Sequence, residues 1–167
     1  IAGFDPNDPT SLPAPVPNML ADIDKGIAGI RIGFDEQYAT REIDAELVEA
    51  VMAAIEVLED LGAEIVEVQL PDIDQYVPAW PVLCSTEAVI AHEATYPSRK
   101  EEYGPYFQGW LEMGTRVSGA QYAKANNLRA ECNGHFRRVF EGIDLFACPS
   151  TSGPPHPITP EELYGPM

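Results

Sequence analysis

Three consecutive hydroxyl side chains, Ser150, Thr151 and Ser152, follow a short apolar run in the last part of the 167-residue sequence. A serine or threonine attacks a substrate when a general base takes its proton and hydrogen-bond donors stabilise the resulting oxyanion. The elbow pattern GxSxG, which presents such a serine, is absent here. Prolines flank the hydroxyls in PSTSGPP and restrict the backbone. Loop ordering is therefore favoured for Ser150 and Thr151 over nucleophilic attack.

The next candidates for acid–base or metal chemistry are the three histidines, His92, His135 and His156. The segment HEATY begins at His92 like a zinc-protease motif, yet the second histidine that HExxH requires is missing. We expect His92 instead to end a helix, where an imidazole suits the negative end of the helix dipole. No metal site and no cofactor is predicted, since no GxGxxG or Walker loop supports nucleotide binding either.

Two charged residues fall in apolar helical stretches. Glu87 lies within STEAVIA, where its carboxylate either lines a pocket or faces water, and both interpretations stay open. Arg129 falls on the apolar face of a predicted long helix. Because a buried arginine needs a carboxylate or carbonyl partner, structural pairing is favoured for Arg129 over contact with a substrate.

Composition limits the class of protein. Hydrophobic residues make up 45% and charged residues 22% of the sequence, which is typical of a globular chain. The net charge of −17 disfavours nucleic acid and anionic membrane surfaces as partners, and no apolar run reaches the roughly 18 residues of a membrane span. Three widely separated cysteines give no disulfide framework, so a reducing compartment, the cytoplasm, is expected. The first residues show neither an initiator Met nor a signal-peptide pattern, and we expect a piece of a longer protein.

The elements that position these residues are indicated by hydrophobic periodicity. Repeated prolines in residues 1–25 predict an extended connector. Alternation in GIAGIRIGF, helical spacing over 41–62 and alternation in AEIVEVQL predict strand, helix and strand over 26–71. A helical crossover makes these two strands parallel and their connection right-handed.

A second helix is predicted over 79–96, beginning near Pro81, and a looser stretch with two glycines and a proline follows it. A long helix over 118–142 and a buried apolar strand over 143–149 come next. These elements predict the α/β class, with a partial mixed or parallel sheet covered by helices in a single domain over residues 1–167.

The order of these motifs resembles the amidase signature family. IAGFDPNDPTS resembles the family segment that follows its catalytic core, IAGIRIGF resembles its next strand, and STEAVIAHEA resembles a pocket-side helix. The stretch GTRVSGAQYAKANNLRAECNGHFRRVFEGIDLFACPSTSGPP resembles the family region in which a tyrosine and, seven residues later, an arginine precede a Pro-Thr-rich loop. The matching residues are Tyr122, Arg129, Phe136, Phe140, Asp144, Pro149, Ser150 and Thr151. The collinear set covers essentially the whole chain.

The resemblance implies a parent protein that hydrolyses or transfers amides through a serine acyl-enzyme, using a Ser–cis-Ser–Lys triad. The family's lysine and Gly/Ser-rich segment precede the matched region, and Lys25, Lys100 and Lys124 stand in no matching context. No catalytic residue is therefore assigned to this chain. The resemblance implies a C-terminal fragment of the amidase signature fold that supplies scaffold and a pocket wall and is inactive alone.

The resemblance also divides the chain into the connector 1–25, the strand–helix–strand unit 26–71, a variable pocket or cap segment 72–117, and a long helix, strand and Pro-rich loop over 118–159. It implies four substrate-pocket candidates, Thr86, Glu87, His92 and Tyr122. It implies five residues that order structure or loops, Arg129, Asp144, Pro149, Ser150 and Thr151. The aromatic residues of the variable segment suit an apolar or aromatic acyl group, but packing in the core is slightly favoured. They are Tyr76, Trp80, Tyr103, Tyr106, Phe107 and Trp110.

The partners implied are the remainder of the parent amidase domain and a small-molecule amide substrate. Two alternatives stay open: the A subunit of a glutamyl-tRNA amidotransferase, and a non-catalytic binding or interaction domain. Acidity and the aromatic-rich middle favour a stand-alone amidase. Because a cut α/β fold leaves sheet edges and apolar faces uncovered, we also expect self-association and a possible homo-oligomer.

Overall fold

A small parallel sheet lies at the centre of the computed structural model, which describes residues 3–155 and 158. Its strands are β1 over Arg31–Phe34, β2 over Glu64–Glu67 and β3 over Leu145–Ala147, in the order β2-β1-β3. The central strand β1 pairs in parallel with both neighbours. With the helices described next, this arrangement confirms the predicted α/β class.

Two helices connect β1 to β2. Helix α1 spans Glu36–Thr40 and helix α2 spans Ala45–Asp60. The Asp44 side chain starts α2 by accepting a 3.0 Å hydrogen bond from the Glu46 amide. The apolar face of α2 buries Ile55 against Phe34 of β1 and Ala39 of α1. This packing places the crossover over one face of the sheet.

Three further helices form a second layer. They are α3 over Ala79–Ala91, α4 over Pro105–Thr115 and α5 over Gly119–Val139, with short 3-10 turns at Ile73–Gln75 and Lys100–Glu102. Helix α3 packs on α5 through Ala79, Leu83 and Ala125. Ser118 opens α5 with a capping box, in which its hydroxyl and the Gln121 side chain satisfy each other's backbone amides.

Several boundaries differ from those expected. The stretch interpreted as loose contains α4, because Pro105 stands at the first helical turn, where its missing N–H costs nothing, and the helix tolerates two glycines. Helix α1 was not predicted, since five residues are too few to show helical periodicity. Helix α3 begins at Ala79 rather than near Pro81 and ends at Ala91.

The expectation of a buried strand over residues 143–149 holds for the strand, which spans Leu145–Ala147, but not for its burial. Ile143 is buried, but Leu145 at the start of β3 is 55% exposed. The reason is position, because β3 is an edge strand of the sheet and the face of Leu145 is only partly covered. An apolar run indicates that a strand is suited to burial, but it does not show whether other elements of this chain pack over that strand.

The segment before β1 lies on the surface. Asp5, Asp8 and Asn18 each accept a hydrogen bond from the amide two residues further on, which is the pattern of Asx turns. Apolar side chains of this segment are exposed, among them Leu12 and Leu20. Within residues 3–155, no helix has both the length and the apolar character needed to cross a bilayer.

Candidate functional site

The carboxyl ends of β1 and β3 open onto a cleft of about 370 Å³. One wall is formed by residues Tyr38 to Ile43, and the other by the loop from Pro149 to Ser152. Both walls follow parallel strands and therefore meet at one edge of the sheet. The chain leaves β1 towards β2 and later returns to β3 on the other side, and open α/β sheets bind ligands at such points.

A buried aspartate shapes this edge of the sheet. Asp35 follows β1 directly and is only 8% exposed. One carboxylate oxygen accepts from the Tyr38 amide at 3.0 Å, and the other accepts from the Leu70 amide at 2.7 Å. Asp35 therefore caps α1 and joins it to the segment after β2. Sequence reasoning missed this residue, although an aspartate between a strand and a helix is a recognisable N-cap signal.

An exposed ion pair contributes to the lining of the cleft. Arg41 Nη2 is 3.0 Å from Asp74 Oδ1 and 3.1 Å from Asp74 Oδ2, and both residues line the cleft. The neighbouring Glu42 has a φ of 58°, which is the left-handed region that side-chain-bearing residues rarely adopt. Neither Arg41 nor Asp74 was selected from the sequence. The two residues are 33 positions apart, and no local sequence motif predicts their contact.

The loop after β3 is tied down by two hydrogen bonds. The Thr151 hydroxyl donates to the Gly153 carbonyl at 3.2 Å, and the Asp44 amide at the start of α2 donates to the Ser152 carbonyl at 2.8 Å. Pro149, Ser150 and Thr151 line the cleft. The loop thus lines the cleft, and its backbone is held at Ser152 by the residue that starts α2.

None of the loop hydroxyls hydrogen-bonds to a histidine or carboxylate within the described part of the chain, so no nucleophile–base pair is formed there. His156, the histidine nearest in sequence, lies outside the described residues, as does most of the stretch from 156 to 159. The assignment of no catalytic residue to this chain stays a prediction.

Two of the four pocket candidates meet each other. The Tyr122 hydroxyl on α5 donates to Glu87 Oε1 on α3 at 2.9 Å, and Glu87 is exposed. The half-buried Thr86 donates its hydroxyl back to the Val82 carbonyl at 2.7 Å, within its own helix. These side chains lie on the α3–α5 layer and do not line the cleft at the sheet edge. Glu87 is exposed and has a hydrogen-bond partner on α5, and both interpretations of its role stay open.

The fourth pocket candidate, His92, caps the C-terminus of α3. Its ring stands edge-on to Tyr103 at 5.4 Å and to Phe107 at 5.2 Å, measured between centroids, and its Nδ1 lies 3.1 Å from the Tyr103 hydroxyl. The Thr95 hydroxyl also hydrogen-bonds to Tyr103. The arrangement joins the end of α3 to the start of α4.

Arg129 does not have the burial expected of it. Its side chain is exposed, and its Nη2 donates to the Asn126 side-chain oxygen at 2.7 Å, one turn earlier on α5. The partner is a side-chain carbonyl oxygen on the same helix, and the structural role of Arg129 stays a prediction. The helical spacing identified a shared face correctly, but α3 covers only part of that face.

Asp144, predicted to order structure, faces Arg31 at the start of β1. Arg31 Nη2 donates to Asp144 Oδ1 at 2.9 Å, and Arg31 Nε donates to Oδ2 at 3.2 Å. The Arg31 amide also donates to Oδ2 at 2.9 Å. The hydrogen bonds from the guanidinium and from the amide lower the pKa of Asp144. The pair fastens the entry of β3 to β1, across 113 residues of sequence.

The aromatic residues of the variable segment separate into groups. Tyr76 is buried, and its hydroxyl donates to Glu131 Oε1 at 3.3 Å. Burial, followed by the Glu131 charge, raises the pKa of Tyr76. Trp80 is 65% exposed and packs at 5.9 Å from Trp110. The expectation of core packing therefore holds for Tyr76 and not for Trp80.

The described residues contain no cluster of three histidine, cysteine or acidic side chains that could hold a metal ion. The three cysteines, Cys84, Cys132 and Cys148, are all free thiols. Burial, together with the neighbouring Glu131 carboxylate, raises the pKa of Cys132 and so disfavours its thiolate form.

Comparison with known proteins places the chain in a family. A model of the Amidase family matches residues 1–165. An amidase from Pseudomonas putida is 33% identical over 150 residues, which cover 90% of this chain and 32% of that protein. The A subunit of the glutamyl-tRNA(Gln) amidotransferase of Pseudomonas putida strain W619 is 31% identical over 178 residues, covering 92% of this chain and 37% of that protein.

Solved structures agree on the fold. A bacterial aryl acylamidase of the amidase signature enzymes superposes with a TM-score of 0.71 at 22% identity, over 92% of this chain and 35% of that one. The A subunit of the glutamyl-tRNA(Gln) amidotransferase from Thermotoga maritima gives a TM-score of 0.71 at 25% identity, over 98% of this chain and 37% of that one. The fold is thus a portion of the amidase signature fold. The chain belongs to the Amidase family and spans about a third of the length of the curated relatives it matches.

Proposed function

We propose that this chain is the C-terminal part of an amide-bond hydrolase that works through a serine acyl-enzyme, and that it supplies scaffold and one wall of the substrate pocket. The observation that carries the proposal is the match to the Amidase family over residues 1–165. The cleft at the carboxyl edge of the sheet supports it, because this edge is where α/β folds assemble ligand sites.

The proposal assigns the chain's own residues to positioning. Pro149, Ser150 and Thr151 edge the pocket, and Asp144 orders the strand that leads to them. Thr86, His92 and the hydrogen-bonded pair Glu87 and Tyr122 stay proposed pocket residues on the helical layer, apart from this cleft. The attacking serine and its lysine come from the remainder of the parent domain, which is the partner proposed for this chain. A cytoplasmic location is part of the proposal and is supported by the three free thiols.

The test is an activity assay on the isolated chain. We expect no turnover of a panel of aryl acyl amides, short aliphatic amides and glutamine, because no base reaches the loop hydroxyls within the described residues. The full-length amidase of Pseudomonas putida, assayed beside it, controls for substrate and buffer. Turnover by the isolated chain that survives both serine-directed reagents and replacement of Lys25, Lys100 and Lys124 by alanine would contradict the triad assignment.

A second candidate is a portion of the A subunit of an amidotransferase, favoured by the likeness to that protein in both sequence and structure. The net charge of −17 supports the stand-alone amidase instead, because an amidotransferase works beside transfer RNA. Co-purification with the other amidotransferase subunits distinguishes the two. Stable capture of this chain by those subunits would favour the second candidate.

A further inference from the structure

A second cleft, separate from the one at the β1–β3 edge, lies beside the end of α5. Its volume is about 450 Å³, within the range of small-molecule sites. One wall is the segment Val68–Pro71 after β2, and the other is formed by His135, Arg138 and Val139 of α5 with Gly142. The proposed amide hydrolysis does not use this cleft, so a ligand here can be tested independently of that activity.

The charge of this cleft is opposite to that of the molecule. The sequence holds 27 acidic residues against 10 lysines and arginines, yet no carboxylate belongs to the described lining of the cleft. The lining combines one guanidinium and one imidazole with the apolar side chains of Val68, Leu70 and Val139. A ligand that suits both the cationic and the apolar part of this lining carries a negative charge on an apolar body.

The guanidinium is held in place by the imidazole. Arg138 Nη2 lies 2.8 Å from His135 Nδ1. Because a guanidinium can only donate, Nδ1 accepts, and the proton of the ring is on Nε2. Glu131 is the carboxylate nearest that ring, with Oε1 3.9 Å from Nε2, and it already accepts from the Tyr76 hydroxyl. Arg138 uses one of its five N–H groups on His135, and the planar fork retains donors suited to a carboxylate.

One effect opposes an anion here. The carbonyl end of α5 carries about half a unit of negative charge. Arg138, which lines the cleft in the last turn of α5, carries one full positive charge, so the balance at the cleft still favours an anion. The negative end of the α5 dipole limits the affinity of the cleft for anions. A small singly charged ligand is therefore more suitable than a large polyanion.

We propose that the cleft between Val68–Pro71 and the end of α5 binds a small carboxylate with an apolar body. The carboxylate meets Arg138, and the body lies on Val68, Leu70 and Val139. Inorganic phosphate shares the negative charge without the body, which allows the two kinds of anion to be told apart.

The experiment is a titration of the whole chain with 4-fluorobenzoate at constant ionic strength, followed by fluorine NMR of the ligand. We expect saturable broadening, and half-saturation at a concentration at least about tenfold higher for 4-fluorobenzyl alcohol, the neutral analogue, which lacks the charge-assisted hydrogen bond. Phosphate at the same concentration should leave the 4-fluorobenzoate signal broadened. Absence of saturation, equal binding of the alcohol, or displacement by equimolar phosphate would each overturn the proposal.

Matched variants locate the site. Arg138→Gln should raise the half-saturating concentration at least about tenfold, whereas Arg137→Gln, which makes the same change one residue away and outside the lining, should alter it by less than about twofold. Both side chains are exposed, so both variants are expected to fold, and circular dichroism checks this. An equal loss of 4-fluorobenzoate affinity in the two variants would mean that a diffuse basic patch, and not a defined site, binds the ligand.

Discussion

Asp144 illustrates how single residues hold this fold together. Its carboxylate receives two guanidinium hydrogen bonds and one backbone hydrogen bond from Arg31, and its amide donates to the Arg31 carbonyl at 2.8 Å. Four contacts thus join the first residue of β1 to the residue before β3. Since both side chains are partly exposed, we expect the pair to define strand position more than to add a large stabilisation.

A pH dependence follows from this contact. Hydrogen bonding lowers the pKa of Asp144 in the folded state below its ordinary value of 3.8. A depressed pKa stabilises the fold above the unfolded-state pKa, and the contribution is lost as the pH falls through the folded-state value. Asp144→Asn should therefore lower the urea midpoint at pH 7, and the difference from the parent should narrow at pH 3.

The control for this prediction is Asp24→Asn. Asp24 is exposed, and among the described residues its side chain makes no hydrogen bond or ion pair. The Asp24→Asn variant changes the net charge by the same amount as Asp144→Asn but keeps the contact between Arg31 and Asp144. Its urea midpoint should therefore follow that of the parent at both pH values. A difference for Asp144→Asn that is as large at pH 3 as at pH 7 would contradict the assigned cause.

The helices illustrate what close packing requires at the scale of elements. Helix α4 crosses α3 at Gly114, which is buried. A methyl group built on Gly114 would lie 2.2 Å from the Ser85 carbonyl oxygen and 2.8 Å from a Val89 methyl. The Ser85 side chain is fully buried, and its hydroxyl has no partner among the described residues. The crossing therefore has no spare volume on either side.

Gly114→Ala tests this crossing. In an open helix the change would stabilise by about 1 kcal/mol, but here the methyl group meets backbone atoms that cannot rotate away, so we expect a net loss of about 1–3 kcal/mol. Gly109→Ala is the matched control on the same helix, because a methyl group there meets nothing within 4 Å. Chemical denaturation should move the two midpoints in opposite directions. A stabilised Gly114→Ala would show that α3 and α4 do not pack as described.

The surface of the whole molecule is larger than its mass requires. The chain exposes 12437 Å², whereas a compact monomer of 18.3 kDa exposes about 8,100 Å². Part of the difference comes from the exposed segment before β1, and part from apolar side chains such as Trp80, Ile90 and Leu145 on the folded elements. The sheet also has two edge strands, β2 and β3. Surfaces of this kind promote association.

We therefore expect the isolated chain to self-associate. The net charge of −17 opposes contact between copies, and salt screens this repulsion. Light scattering should give an apparent mass that rises with concentration, and rises further at about 0.5 M than at about 0.02 M NaCl. Trp80→Gln, which removes an exposed aromatic ring without a change of charge, should weaken the effect. A monomer at all concentrations and both salt levels would contradict this prediction.

The extent to which the sequence predicted the site varies with the range of the interaction. Tyr122 and Glu87 were each selected from local motifs, yet only the packing of α3 on α5 brings their oxygens to 2.9 Å. Pro149 and Thr151 were selected from the family resemblance, and they line the cleft. Arg41 and Asp74 were missed, because no local pattern connects residues in different loops.

The sequence by itself determined the family, the α/β class, the long helix that begins near Ser118 and the acidic charge. These follow from local order: motif succession, periodicity and caps involve residues a few positions apart, and their free energies depend little on the rest of the chain. Only the tertiary structure decided that Arg129 and Leu145 are exposed, that Asp35 joins α1 to the segment after β2, and that clefts form at the β1–β3 edge and beside the end of α5. Such features depend on which surfaces meet, and burial is a property of the packed molecule, which a local pattern does not contain.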